Sequence, residues 1–324
     1  MATAAVTPDG VGASQVQLPP GPWSTVFEFL CERFPGVGRQ EWASRLLRGR
    51  VLDASGSLLD AGSAYRVGMT VRYFRELDRE PDIPGEVHEV HRDRHLLIVD
   101  KPPFLPVAPA GRYLEQTLLA RLRRRYALAD LAPLHRIDRA TSGLVMFSAD
   151  PATRGRYQSL FAQRCIDKTY EALAPAMPGQ DFPVERCSRL LPGEPFFRMR
   201  EADGTPNSRT LIECLQVWGA LAHYRLRPVT GRKHQLRVHM AALGAGILND
   251  PLYPVNLEEA PDDPHHPLML LARGLAFNDP LSGERRVFES RRRLTLQADS
   301  PALHEAATDP NENAATCIDH RNQS

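Results

Sequence analysis

From Val87 to Leu296 short apolar runs suited to strands (HLLIVD, GLVMFSA, KTYEALAPA, SRTLIECLQVWGALAHYRLRP and RRVFES) alternate with stretches suited to short helices (EQTLLARLRRRYA and ATRGRYQSLFAQ). Runs of strands with occasional helices predict one α+β domain on a mixed, mostly antiparallel sheet. Residues 23–76 are a separate block. STVFEFLCERF and RQEWASRLLRGR read as helices there, and VLDASGSLLDAGSAYRVGMTVRYFRE as short strands around Gly and Asp turns. LDREPDIPGE, residues 77–86, holds two prolines and four acids without a periodic pattern and is the predicted linker. The expected division is therefore a small α+β module at 23–76 and a larger domain at 87–297. Residues 1–22, rich in Ala, Gly and Pro, and residues 298–324, polar and acidic, are expected to be disordered tails. No fixed-period repeat is visible.

No uncharged apolar run approaches the roughly 18 residues that a bilayer span needs, so a membrane role is not expected. The first residues lack a basic n-region and a long apolar stretch, which points to the cytoplasm. Five cysteines are spread along the chain with no C-x-x-C pair and are expected to be isolated, reduced thiols. The net charge of +1 hides an asymmetry, because the acidic tail from 298 onward sums to −4 and the remainder to +5. Of 40 basic residues 37 are arginine, the side chain better matched to phosphate, which tilts the reading toward nucleic acid; arginine-favouring codon usage is the plain alternative.

Three segments concentrate polar chemistry. HRIDRATSG, residues 135–143, precedes an apolar strand and sets Asp138 between Arg136 and Arg139, whose positive charge favours the carboxylate. Asp138 is thus a candidate nucleophile or base, with a solvated salt-bridged loop as the alternative. GRKHQLRVH, residues 231–239, is expected to open a helix at Gly231, bringing Arg232, Gln235 and His239 near one face, or else to be an exposed phosphate-binding helix start. KTYEA, residues 168–172, places Tyr170 on a strand, either as core packing or as an aromatic face for an unstacked base.

These segments, together with IVDKPPFLPVAP (98–109) and NDPLY (249–253), resemble in order and spacing the signatures of the RluA-type pseudouridine synthase family. The resemblance covers about residues 87–290. Residues 23–76 also resemble the RNA-binding module of ribosomal protein S-four, although Met69 stands where that pattern usually has an acid. The resemblance implies the pseudouridine synthase fold behind an RNA-binding module, and an isomerase that detaches uracil from ribose within RNA and rejoins it through carbon. It implies no cofactor and no metal. By the same resemblance Asp138 is the essential aspartate, Tyr170 packs against the target uracil and assists at carbon 5, and Arg237 pairs with the carboxylate. Leu236 lines the uracil pocket or else packs in the core, Arg136 and Arg139 hold phosphates or the surroundings of the extruded nucleotide, and His135, a further substrate-binding candidate, orders the loop or else is a surface group. Lys233 and Asn249 depart from the family's usual threonine and glycine.

The basic runs Arg121 to Arg125 and Arg291 to Arg293 are candidate phosphate patches or solvated helix faces. The His88, His91, His95 cluster and the group Asp262, Asp263, His265, His266 match no zinc spacing. His135, Asp138 and Ser142 stand too close together for a hydrolase triad. A non-catalytic RNA-binding protein remains the rival reading. The expected partner is ribosomal RNA in preference to transfer RNA, and the expected state a monomer.

Overall fold

The computed structural model describes residues 10–76, 80–111, 113–256 and 262–295. Its elements, in chain order, begin with β1 (Ser14–Gln17), α1 (Val26–Arg33), α2 (Arg39–Leu47), β2 (Val51–Asp53), β3 (Thr70–Tyr73), β4 (His88–Arg92), β5 (Leu96–Lys101), α3 (Leu118–Tyr126) and β6 (Ala132–Pro133). They continue through β7 (Ser142–Ser148), α4 (Arg154–Ala162), β8 (Ile166–Pro175), β9 (Val184–Pro192), β10 (Met199–Ala202), β11 (Ser208–Trp218), β12 (Leu221–Pro228), α5 (Gln235–Ala242), β13 (Leu270–Asn278) and β14 (Arg285–Glu289). None of the described helices is long and apolar enough to cross a membrane.

The chain falls into two compact units. The first holds residues up to 83 together with 106–133 and 147–152, so α3 belongs with the N-terminal block and not, as the composition suggested, with the larger domain. The boundary at 83/84 lies inside the expected linker, of which 77–79 are outside the described residues. Within this unit α1 starts at a reciprocal cap: Thr25 Oγ1 accepts from the Glu28 N–H while the Glu28 carboxylate accepts from the Thr25 N–H. The apolar faces of α1 and α2 supply Phe29, Leu30, Trp42 and Leu46 to a core shared with Val51 and Val71. Met69, the departure noted above, packs against the same core.

The expectation of a disordered tail through residue 22 fails where the structure can be seen. Ser14–Gln17 pair antiparallel with Thr70–Tyr73, giving a three-stranded sheet in the order β1-β3-β2, and Leu18 is buried. Alternating Val16 and Leu18 supply the inward contacts that a composition count overlooks. Residues 1–9 and the acidic tail lie outside the described residues.

The second unit carries a large mixed sheet, ordered β10-β9-β11-β12-β8-β13-β7-β5-β4, with β14 added on β13. β13 and β7 run parallel, and every other pair with a defined register is antiparallel. The expected α+β class and sheet type are therefore found. One cross-strand row positions everything that follows: Gly143 on β7 faces Ala272 on β13, which faces Tyr170 on β8, which faces Leu226 on β12.

Gly143 explains why the HRIDRATSG segment ends in glycine. Its φ is +109°, and a Cβ built there would lie 2.3 Å from the Ala272 carbonyl oxygen. No side chain fits without separating β7 from β13. Gly143→Ala is expected to destabilise the protein by about 2 kcal/mol or more, measured as a lower urea midpoint. Gly155→Ala, in α4 with open space around it, should leave the midpoint unchanged or raise it.

Candidate active site

HRIDRATSG runs directly into β7. Ile137, Ala140 and Thr141 are buried, so the loop is anchored by these residues while Arg136 is exposed and the Asp138 side chain retains 28% exposure. Lys101, at the end of β5, is fully buried, and its Nζ donates to the carbonyls of Pro102 (2.9 Å) and Arg139 (3.0 Å). Burial pulls this ammonium well below its ordinary pKa, against the opposing pull of Asp138. Lys101 lies in the IVDKPP segment and ties the loop to the sheet from beneath.

The carboxylate of Asp138 meets two groups brought by GRKHQLRVH. Arg237 Nη1 donates to Oδ2 at 3.4 Å, and His234 Nε2 stands 3.9 Å from Oδ1. Arg237 is itself clamped: Nε and Nη2 donate to the two oxygens of Asp250 at 2.7 and 2.6 Å, with side-chain exposures of 3% and 0%. Burial works against this guanidinium's charge, but the hydrogen bonds and charge of Asp250, with Asp138 behind them, hold it above its ordinary range. Asp250 also accepts from the N–H groups of Leu252 and Tyr253, which fixes its own rotamer. Asn249, where the family has glycine, takes φ +59°, a left-handed conformation that asparagine tolerates, and its Nδ2 donates to the Pro267 carbonyl.

The expected helix start at Gly231 is corrected by the structure. α5 begins at Gln235, with His234 in the N-cap position at φ +54°. The Gln235 carboxamide oxygen accepts from Thr230 Oγ1 and the Arg232 N–H, so residues 230–234 form a turn instead of a first helical turn. Gln235 and His239 do share a face, both reaching Thr210 Oγ1 at 2.9 Å.

That turn exposes a residue the sequence reading missed. Tyr253 Oη accepts from the Met199 N–H at 2.7 Å and lies 2.9 Å from His234 Nδ1. With the single proton of the neutral ring on Nε2, toward the Asp138 carboxylate, Nδ1 is the acceptor and the Tyr253 hydroxyl donates to it. Burial lowers the pKa of His234 to about 4, Asp138 opposing and Arg237 reinforcing, so the imidazole is neutral. The signal was present as the histidine of GRKHQLR and the tyrosine of NDPLY, but only folding brings them together.

Asp138, Tyr170, Arg237, Leu236, Arg136 and His135 all line one cavity of about 450 Å³. Leu236 is also part of the core beneath it, so its two candidate roles coexist. The Tyr170 hydroxyl is held in its protonated form by burial first and by the charge of Asp138 second. A second cavity of about 1220 Å³ shares Arg136, Asp138, Arg232, His234 and Arg237. Arg139 lines only this outer one, where it forms a two-pronged pair with Asp262.

His135 Nε2 accepts from the Met146 N–H at 3.0 Å and its ring stacks on Phe161, so it braces the second half of β7. Burial lowers its pKa to about 3. The basic runs are also partly internal. Arg121 donates to the Ile83 carbonyl and Arg123 to the Leu131 carbonyl, while Arg292 reaches the Glu86 carbonyl and Asp100.

Two outcomes follow. Removing the acid from Asp250 by Asp250→Ala leaves Arg237 buried without its main partner and should cost about 3–5 kcal/mol, read by urea unfolding. His135, His234 and His239 have folded pKa values near 3, 4 and 4 against 6.5 when free. Over that interval the unfolded chain binds the extra protons, so their contribution is fully present above about pH 6.5 and is lost as pH falls toward 4. The melting temperature should drop between pH 7 and 5, and His239→Gln should flatten that slope.

Residues 95–242 match the RNA pseudouridylate synthase family. The chain is 28% identical over 243 residues to an uncharacterized RNA pseudouridine synthase of Synechocystis sp., covering 72% of this chain and 83% of that one. It is 28% identical over 226 residues to the dual-specificity RNA pseudouridine synthase RluA of Haemophilus ducreyi, covering 66% and 97%. The solved structure of human RNA pseudouridylate synthase domain containing 1 shares the fold at a TM-score of 0.53 and 23% identity, over 72% of this chain and 99% of that one. Residues 95–242 thus resemble the RNA pseudouridylate synthase family, and this match together with the relatives indicates an RNA pseudouridine synthase, an isomerase.

Proposed function

We propose that this enzyme isomerises specific uridines of a structured RNA, ribosomal RNA in preference to transfer RNA, with Asp138 as the catalytic carboxylate. The observation that carries the reading is the shared cavity: the Asp138 carboxylate and the Tyr170 ring line the same 450 Å³ space, with Arg237 fixed behind the acid. Cutting the bond between uracil N1 and ribose C1′ requires an anion aimed at the nucleotide, and acids are kept anionic and oriented by such a guanidinium. Asp138 supplies that anion, acting at the sugar or at the base. The base then turns so that carbon 5 meets C1′; the carbon 5 proton leaves and N1 gains one.

Tyr170 supplies a face for the extruded base, an arrangement that offsets the cost of unstacking. Because its hydroxyl is held protonated, we assign it packing and hydrogen-bond donation at the base edge in preference to proton removal. His234 presents its Nε2–H beside Arg237, so the two oxygens of Asp138 each face one donor. Arg136, exposed at the junction of both cavities, suits a backbone phosphate. The preference for ribosomal RNA draws on residues 14–73, whose helices α1 and α2 and strands β1 to β3 are compatible with an RNA-binding module. A relative from Saccharomyces cerevisiae, a mitochondrial tRNA pseudouridine(32) synthase, keeps transfer RNA as the second substrate class.

Pseudouridine mapping of total RNA from cells carrying wild-type protein, Asp138→Asn or a deletion tests this. One or a few sites should vanish in both altered strains. If no site changes while the purified protein binds RNA, the non-catalytic reading replaces this one.

A further inference from the structure

Tyr170 has a neighbour whose charge the reaction does not use. Lys168 lies two residues earlier on β8, hence on the same face and about 6–7 Å along the strand. β12 stops at Pro228, so the chain beyond it leaves the sheet alongside Lys168, and Lys168 Nζ donates to the Thr230 carbonyl at 3.2 Å. Arg164, exposed just after α4, lines the same cavity. Among the described residues neither cation has an acidic partner within salt-bridge distance. Nor do they cap α4, because the carbonyls of Ser159, Leu160 and Phe161 are taken by the N–H groups of Gln163, Cys165 and Arg164.

We infer that Lys168 and Arg164 form a phosphate subsite of the inner cavity, which takes a phosphodiester oxygen of the nucleotide whose base rests against Tyr170. This rests on the isomerase reading above. The charge balance supports it: among the residues lining the cavity Asp138 is the one acid, whereas Arg136, Arg164, Lys168 and Arg232 are cations beyond Arg237, which Asp250 already matches. A partly buried ammonium without a counterion is held at a cost that an arriving anion offsets. Burial first and Arg164 second pull Lys168 below its ordinary range, as two cations awaiting an anion should.

The test is calorimetric titration of the intact protein with uridine, uridine 3′-monophosphate and uridine 5′-monophosphate. At low salt at least one monophosphate should bind about tenfold more tightly than uridine, with the advantage shrinking as KCl rises. Lys168→Met and Arg164→Gln should each reduce the advantage to about threefold or less, and Lys168→Arg should keep it. Equal binding of all three ligands overturns the proposal. So does an advantage that survives both substitutions, which places the phosphate on Arg136 and Arg232. Lys168→Met removes a partly buried charge and should melt no lower than wild type; if it does melt lower, Arg164→Gln, at an exposed position, decides the matter by itself. Because binding and not turnover is followed, a protein that takes the nucleotide but converts no uridine overturns the isomerase reading and leaves this subsite standing.

Discussion

The buried pair between Arg237 and Asp250 is the contact on which the site depends. A guanidinium with almost no solvent access is tenable only when a carboxylate satisfies it in two-pronged geometry, and Asp250 does so while its Oδ1 also accepts from the Leu252 and Tyr253 amides. The remaining nitrogen of Arg237, directed by that clamp, points at Asp138. The Asp138 carboxylate, the proposed catalytic acid, therefore inherits its orientation from residues about a hundred positions downstream, and the same pair holds the NDPLY turn against α5.

Backbone conformations that side chains rarely adopt complete the arrangement. Gly143 admits the Ala272 carbonyl where any Cβ would collide, which lets β7 run parallel beside β13 and brings the Asp138 loop over the row containing Tyr170. His234 and Asn249 both take left-handed φ values, one turning the chain into α5 and the other delivering Asp250 beneath it. These strained positions are tolerated because burial and hydrogen bonding around them over-determine the local fold.

Much of this was legible. β5, β7, β8, β11, β12 and β14, and helices α1 to α4, fall where apolar runs and helical spacing put them; β5 and β7 are buried nearly throughout, and α1 and α2 turn their apolar faces to the core of their own unit. The strand at Ser14–Gln17 was not legible, since Ala, Gly and Pro around it mask a four-residue edge whose order comes from pairing with β3. The start of α5 was misplaced because the Gln235 side chain satisfies the donors of Thr230 and Arg232 that helical carbonyls would otherwise have served. His135 lines the inner cavity and also holds the distant Met146 amide, a contact that no local pattern shows.

By itself the sequence determined the chemistry available: an aspartate between arginines, a tyrosine on a strand, an arginine-rich helix start and the strand pattern of an α+β sheet, all properties of neighbours along the chain. Only the tertiary structure decided which of these meet. Asp138, Tyr170, His234, Arg237 and Asp250 come from separate segments, and their juxtaposition follows from strand order, register and long-range ion pairing. The protonation states of His234 and Tyr170 and the downward shift of Lys168 likewise follow from folding, because burial and the charges set beside a group move it from its intrinsic pKa.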